Sequence, residues 1–319
     1  MYEKHDETEQ LAPFNFLSEE LTDNIRTELQ DNRLSHNMFA FTCRTFYRLA
    51  KAERLRARLA DCLIERESLE IQHMLTRYPQ LLVKRGLIID KSIRIFEECS
   101  VWEYILWALD VKFMGPMMVD CLPYDEQGKQ IALQLLAQLE HHEQHGITYL
   151  LNGKDHCESH YDFSILAVLQ TFVTNFNSWE WHEQINFWKK DMRRAQLYAP
   201  THIAQHYCAP EAFNGDTLSH SLTFLHPITK QNEPWWTGQP IEEIVEKSEY
   251  AVIKGAKECT AVNYMRGTYT SAHKDLTELT ILKQTRLTND LPALKQKLID
   301  FIKTFDMQCQ SANIRMKAG

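Results

Sequence analysis

The sequence predicts a mainly α-helical protein, and three observations support that fold class. Glycine and proline are scarce, at ten residues each among 319, whereas a β-sandwich needs many turn residues. Apolar residues recur at intervals of three and four along most of the chain, which is the period of an amphipathic helix. The hydrophobic fraction of 44% is ordinary for a globular protein. We therefore expect helical units with a few short strands.

The first 60 residues divide into a leader and a run of helices. Residues 1–12 are polar and acidic, so we expect a disordered leader without a Sec signal peptide. Residues 13–60 have a helical pattern, with Ser18 suited to cap the first helix. Asp31 and Asn32 interrupt that helix, and a second apolar run follows them. This pattern predicts a three-helix N-terminal element.

Residues 61–123 are predicted to form a region of short helix pairs. A proline at position 79 ends or redirects its first helix, because proline lacks the backbone N–H. Ser100 is suited to cap a strongly apolar helix. The predicted elements are helices at Glu67–Leu82, Val101–Leu109 and Val111–Leu122, with a loop or short hairpin at Lys84–Ile95.

Residues 124–319 are predicted to form a larger, mainly helical interaction domain. The pattern stays helical until about Cys208, with Asp162 capping the second helix and Asn177 or Ser178 capping the third. Residues 209–270 contain most of the domain's prolines and are expected to be irregular. The predicted elements are helices at 125–145, Phe163–Phe176, Trp181–Ala195 and Leu276–Phe305, and short strands at Leu222–Leu225 and Tyr250–Ile253.

The apolar spacing in the first region resembles the F-box, whose motif begins Leu-Pro-x-Glu-Leu and ends in a Cys-Arg pair. Ser18 stands where the family has proline. The resemblance implies three helices that pack against the Skp adaptor of a cullin–RING ubiquitin ligase. The alternative is a plain helical hairpin. The residues that carry the resemblance are Leu17, Glu20, Leu21, Ile25, Leu29, Leu34, Phe39, Cys43 and Arg44.

Residues 61–123 look like degenerate ankyrin repeats. Glu67–Leu82 has the shape of a helix–helix–Pro-x-Leu-Leu unit, and Ser100–Ala108 stands where ankyrins place Thr-Pro-Leu-His-x-Ala. Because about three repeats are needed for an independent array, we expect this region to pack on the residues that follow it.

A second resemblance covers about Leu81–Leu298 and is more specific. These residues are similar to a domain of many Legionella proteins that are thought to be injected into host cells by the Dot/Icm type IV system. The resemblance implies an effector that leaves the bacterial cytoplasm for the host cytoplasm, without implying a chemistry. Ile93 stands where the relatives tend to carry glycine. The signature residues are Asp90-Lys91-Ser92, Arg94, Phe96, Tyr104, Leu106–Asp110, Phe163–Phe176, Ala199–His202 and Tyr207-Cys208.

Histidine is the strongest enzyme-like feature of the sequence. His141 and His145 lie one helical turn apart, and His156 and His160 repeat that spacing. Two such pairs resemble a zinc-ligand set. However, His142–His145 is one residue too short for the HExxH motif, so we expect solvated histidines and no bound metal or cofactor. Eight scattered cysteines include no CxxC pair, although a distant Cys–His nucleophile stays open.

The remaining features favour protein binding. The net charge of −8 disfavours nucleic acid, and no apolar run approaches the ~20 residues of a membrane span. Trp235 and Trp236 lie between Pro234 and Gly238, in a loop-like stretch where aromatic residues often anchor a partner. We expect an adaptor that links a Skp subunit to a target protein. A Cys/His enzyme acting on a host protein or small molecule and a plain scaffold are the alternatives.

Overall fold

A computed structural model describes residues 51–192, 194–195, 198–203, 223–225, 232–234 and 269–318. The chain divides into two units, residues 1–58 and residues 59–319. Within the first unit only residues 51–58 are described, and they are helical. The account that follows concerns the second unit, in which the described residues build one core.

Most of the described residues are helical. Two π-helical segments interrupt or extend the helices, at Trp188–Met192 and Arg286–Asp290, and Pro79–Leu82 forms a 3₁₀ turn. The helices are α1 (Lys51–Glu65), α2 (Ser68–Arg77), α3 (Val101–Ala108), α4 (Met114–Asp120), α5 (Glu126–His145), α6 (Ser164–Asn175), α7 (Trp181–Phe187), α8 (Tyr269–Thr285) and α9 (Leu291–Ala318).

Two antiparallel sheets accompany the helices. The first has the order β1-β2-β3-β4 and the second pairs β5 with β6. β2 meets β3 at a single residue pair, whereas β3 and β4 pair along their whole length. The strands are β1 (Ile88–Ile89), β2 (Ile95–Phe96), β3 (Ile147–Leu151), β4 (Lys154–Glu158), β5 (Thr223–Leu225) and β6 (Asn232–Pro234).

Helix α3 lies at the centre of the core. All eight of its residues are buried, because its sequence is apolar on every side except at Glu103. Ser100 and Glu103 form a capping box, in which each side chain accepts a hydrogen bond from the other residue's backbone N–H. Trp102 donates from Nε1 to the Leu135 carbonyl of α5. α3 is therefore fixed both at its N-terminus and along its side.

The long C-terminal helices cover the rest of the core. α8 packs on α6, and α9 packs on α5 and α4. Lys129, near the start of α5, pairs with Asp306, while Glu143, near its end, pairs with Lys295. These ion pairs show that α5 and α9 run antiparallel. Leu294 and Leu298 of α9 are fully buried, and Leu294 lies against Gly115 of α4.

The mainly α fold class is confirmed, and so is a small β content. The predicted hairpin at Lys84–Ile95 is confirmed as the β1–β2 pair, and the strand predicted at Leu222–Leu225 is present as β5. Continuous helix up to Cys208 was a wrong prediction, since β3 and β4 form a hairpin.

The predicted helix caps have mixed outcomes. Ser100 caps α3 as expected. Asp162 lies one residue before the cap position of α6, although its Oδ1 accepts the Ser164 N–H at 2.9 Å. Glu180, rather than Asn177 or Ser178, caps α7. The strand predicted at Tyr250–Ile253 falls outside the described residues.

Candidate functional site

The partner-binding residues predicted from the sequence lie outside the described residues. This holds for the F-box-like positions from Leu17 to Arg44 and for Trp235 and Trp236. The structure instead brings together the signature segments of the second resemblance, which are far apart in sequence. The segments brought together are residues 90–96, 104–110 and 199–202, whereas Tyr207-Cys208 lies outside the described residues.

Asp90 organises the first segment as a tight turn. Its Oδ1 accepts hydrogen bonds from the Ser92 backbone at 2.9 Å, the Ser92 hydroxyl at 2.6 Å and the Arg94 backbone at 3.0 Å. The turn closes when the Asp90 N–H donates to the Arg94 carbonyl. Ile93 adopts a left-handed conformation, with φ of 61°. This turn directs the Arg94 side chain into the core.

Arg94 is enclosed by aromatic rings. Its guanidinium carbon lies 5.1 Å from the centroid of Trp107, 5.4 Å from Tyr149, 5.8 Å from Tyr161 and 5.9 Å from Tyr198. Nη1 also donates to the Tyr198 carbonyl at 2.8 Å. We call these four rings with Arg94 the arginine box. Each ring offers its negative face to the cation, which compensates in part for the lost water.

The charge of Arg94 is also balanced by Asp90, 3.7 Å away. Burial raises the pKa of Asp90, and the nearby Arg94 charge and the hydrogen bonds from Ser92 and Arg94 oppose that rise. Burial likewise raises the pKa of Tyr149 to about 12, so this phenol is protonated at neutral pH. Trp107 donates from Nε1 to Glu158 of β4 at 3.2 Å. The box therefore joins the turn before β2, α3, the β3–β4 hairpin, Tyr161 and Tyr198.

Asp110 is the centre of a second buried charge cluster, just after α3. Its carboxylate pairs with Arg66, from the turn between α1 and α2. Burial alone would raise the pKa of Asp110, but interactions with Arg66, His202 and Arg286 outweigh it and hold that pKa below its usual value. We call these four residues, together with Asp290, the Asp110 cluster.

Arg286 links the Asp110 cluster to the C-terminal helices. Its side chain is 2% exposed and donates to Asp290 at 2.9 Å. Its guanidinium lies 5.7 Å from the Phe113 ring centroid. Both Arg286 and Asp290 belong to the π-helical segment. The positive charges of Arg66 and Arg286 and the negative charges of Asp110 and Asp290 thus connect segments that are distant in sequence.

Residues 164–298 match the CBUA0006 C-terminal domain. The chain is homologous to the uncharacterized protein CBUA0006 of Coxiella burnetii, with 29% identity over 269 aligned positions that cover 77% of this chain and 76% of the relative. The two proteins share this C-terminal domain. No solved structure matches the chain.

The CBUA0006 C-terminal domain supplies only part of each cluster. Tyr198, His202 and Arg286 lie inside the matched residues, whereas Arg94 and Asp110 precede them. Each cluster therefore combines residues that precede residue 164 with residues that follow it. Helix packing also crosses this boundary, because α9 contacts α4 and α5, which precede residue 164.

The histidines and cysteines do not converge on one point among the described residues. Cys62, Cys99 and Cys121 are buried, and Cys157 and Cys309 are exposed. The Cys157 thiol donates to the His145 carbonyl at 3.3 Å, and not to an imidazole nitrogen. No group of three or more potential metal ligands occurs within the described ranges. None of their helices is long and apolar enough to cross a membrane.

Sequence reasoning missed several members of both clusters. Tyr149 and Tyr161 were not singled out, since nothing in their local pattern distinguishes them from other core aromatics. Arg66 and Arg286 were also missed, although an arginine on an otherwise apolar helix face is a usable signal. Arg286 continues the buried stripe of Ala272 and Leu279 at seven-residue steps.

Proposed function

We propose that this chain is a non-enzymatic adaptor that binds two proteins. Its F-box-like element docks the Skp subunit of a host cullin–RING ubiquitin ligase, and its C-terminal domain holds a target for ubiquitination. The resemblance to Dot/Icm effectors supports a site of action in the host cytoplasm, after delivery by type IV secretion. No cofactor is required for either contact.

The observation that carries the proposal is the order of residues from Leu17 to Arg44. Leu17, Glu20 and Leu21 reproduce the start of the F-box motif, and Cys43-Arg44 reproduces its end. The intervening apolar residues keep helical spacing. We expect such a surface to bind by burying its apolar side chains, since the fully buried core of an interface is more apolar than its rim.

The described structure supports a binding role over a catalytic one. The charged signature residues Asp90, Arg94 and Asp110 are buried and paired, Asp90 with Arg94 and Asp110 with Arg66. Groups used in this way stabilise a fold and are shielded from a substrate. A rigid helical frame is suited to present binding loops. Trp235 and Trp236 are the aromatic anchors that we propose for the target.

The region that resembles ankyrin repeats adds a further support. α3 and α4 form a pair of short helices that pack together, and α4 also contacts α2. The same helices contact α5 and α9, so this region shares the core of the following domain.

The test is the binding of a purified Skp adaptor to the full-length protein by titration calorimetry. We expect association at or below tens of micromolar, and loss of it in the Leu17→Asp, Leu21→Asp double variant. Each aspartate would have to be buried without a partner in the complex. The matched control is the Trp235→Ala, Trp236→Ala variant, which should bind Skp normally and lose target capture.

Two results would contradict the adaptor function. One is an intact, folded protein that shows no heat of binding to Skp at concentrations of about 100 micromolar, a range in which even weak interfaces are detected. The other is full binding by the double aspartate variant. Circular dichroism of each variant should match that of the unaltered protein, so that lost binding is not lost folding.

A further inference from the structure

Strand β4 forms one edge of the larger sheet. The strand order is β1-β2-β3-β4, so within the described ranges β4 has β3 on one side and no strand on the other. Its sequence is Lys-Asp-His-Cys-Glu, from Lys154 to Glu158. An edge strand of this kind presents backbone N–H and C=O groups with which a further strand can pair.

The turn of the β3–β4 hairpin determines which backbone groups of β4 face outward. Asn152 and Gly153 both have positive φ, as in the type I′ turn of a two-residue hairpin. In such a hairpin the closing pair, here Leu151 and Lys154, is hydrogen-bonded. Hydrogen-bonded pairs then recur at every second residue of an antiparallel ladder. The backbone groups of residues 154, 156 and 158 therefore face β3.

Asp155 and Cys157 are the residues of β4 whose backbone groups face away from β3. Apart from strand pairing, no backbone group of the described residues donates to either one or accepts from it. Both residues are exposed. The other side of β3 follows the same alternation, because Leu150, opposite Asp155, is the residue that meets Ile95 of β2. The open edge of β4 therefore offers an N–H and a C=O from each of these two residues.

The charges of β4 make the strand complementary to an antiparallel copy of itself. Lys154 lies at one end and Glu158 at the other, on the same face of the strand as His156. Neither Lys154 nor Glu158 forms an ion pair within the part of the chain that the structure describes, although Glu158 accepts from Trp107 through Oε2. If two copies pair about His156, Lys154 of each copy lies opposite Glu158 of the other. Opposite charges that face each other across strands are stabilising.

The outward-facing groups of two antiparallel copies can meet when the symmetry axis passes Asp155, His156 or Cys157. An axis at Asp155 places two aspartates directly opposite each other, which is destabilising. An axis at Cys157 places Lys154 opposite His160 and gives it no carboxylate partner. An axis at His156 places Asp155 opposite Cys157 and forms both Lys–Glu pairs. Charge therefore favours the register centred on His156.

We propose that β4 is a dimerisation strand, through which two copies of this chain pair antiparallel about His156 and join their sheets. The interface is isologous, since both copies use the same edge. Asp155 of each copy exchanges two backbone hydrogen bonds with Cys157 of the other. Because only five residues of each copy take part, the interface is small and the association is weak. This dimer does not depend on the adaptor function.

Sedimentation velocity of the full-length protein measures the association. We expect monomer at about 1 micromolar and a dimer fraction that grows up to about 500 micromolar, as for a weak interface. Lys154→Glu places like charges opposite each other twice in the dimer, so its dissociation constant should rise about tenfold. The matched control is Lys303→Glu, an exposed lysine of α9, which makes the same change in net charge and should dimerise normally.

A cysteine at the centre of the interface tests the register. The His156 residues of the two copies form a non-hydrogen-bonded pair, whose Cα atoms lie about 4.5 Å apart, a separation that a disulfide can span. His156→Cys in a Cys157→Ser background, with oxidised glutathione as the oxidant, should give a dimer linked through residue 156. Peptide mass spectrometry identifies the link. Thr148→Cys in the same background, exposed on β3, should not give a link through residue 148.

An intact protein that stays monomeric at about 500 micromolar, where weak interfaces are populated, overturns the proposal and leaves the β4 edge to a strand of a different protein. A dimer that Lys154→Glu does not weaken also overturns it, as does a folded His156→Cys variant without the link through residue 156. Circular dichroism shows whether each variant is folded. If His156→Cys is not, Lys154→Glu decides alone, since Lys154 is exposed and its replacement is tolerated by the monomer.

Discussion

Ile93 occupies a left-handed backbone conformation that branched side chains rarely adopt. The Asp90 turn imposes it, because the same carboxylate oxygen must reach the backbone of both Ser92 and Arg94. A glycine at this position would have no such restriction. The strain is therefore a local cost that this chain bears to place Arg94 in its box.

Replacing Ile93 by glycine should stabilise the protein. Relief of the left-handed strain should add about 1–2 kcal/mol to the free energy of unfolding. The greater conformational freedom of glycine in the unfolded chain should subtract up to about 1 kcal/mol. We expect the free energy of unfolding to rise by about 0.5–1 kcal/mol in chemical denaturation. The control is Ile95→Gly, in the extended β2 strand, which should be destabilising. A lower stability for Ile93→Gly would show that the side-chain contacts of Ile93 outweigh its strain.

The sequence singled out four of the ten residues of the two clusters, namely Arg94, Trp107, Asp110 and His202. These four residues, and Asp90 beside them, all belong to the segments on which the second resemblance was based. The resemblance indicated that these residues matter, and it did not indicate that they stabilise the core. Their partners are defined by three-dimensional packing, which local spacing does not encode.

At the scale of elements, the β3–β4 hairpin is the clearest error of the sequence prediction. Asn152 and Gly153 both have positive φ and form its two-residue turn, and an Asn-Gly pair is a strong hairpin signal. The signal was masked because β4 is Lys-Asp-His-Cys-Glu, which has no apolar alternation. The strand is instead held by pairing with β3 and by the Trp107 contact of Glu158.

The spacing of buried residues explains why a π-helical segment is present at Arg286–Asp290. Ala272, Leu279 and Arg286 are buried at steps of seven, which is two helical turns, and so are Leu298 and Phe305. The step across the segment, from Arg286 to Leu294, is eight. One extra residue is therefore present, and the wider π turn absorbs it without rotating α9 away from α5.

Deleting Thr288, an exposed residue of this segment, should leave the fold intact. The deletion restores a step of seven and allows a continuous α-helix, so we expect the free energy of unfolding to change by less than about 1 kcal/mol, as for surface changes. Deleting the equally exposed Lys303 from α9 should cost about 3 kcal/mol or more, because Phe305 then leaves the core. Similar losses for both deletions, measured by thermal unfolding, would refute this account of the segment.

At the scale of the whole molecule, the two charge clusters connect parts of the chain that are far apart in sequence. The arginine box joins residues 94, 107, 149, 161 and 198, and the Asp110 cluster joins residues 66, 110, 202, 286 and 290. Each cluster includes residues from before and within the CBUA0006 C-terminal domain. We infer that residues 59–163 and that domain fold as one cooperative structure, although the sequence suggested a boundary near residue 123.

Asp110→Asn tests this cooperativity. The amide cannot balance Arg66 and Arg286, and an uncompensated buried charge typically costs about 3–5 kcal/mol. Because the folded pKa of Asp110 lies below 3.8, its contribution is present above about pH 4 and is lost as the pH falls further. The variant should therefore be less stable at neutral pH and should depend less on pH in strong acid.

One unfolding transition should remain for residues 59–319 in Asp110→Asn, shifted to lower denaturant and seen equally by tryptophan fluorescence and circular dichroism. Asp300→Asn, on the exposed face of α9, is the matched control and should behave like the unaltered protein. A transition that splits in two would show that the C-terminal domain is stable without the preceding helices. In that case the buried charges would align two independent domains, because each would keep its own core after the link between them is removed.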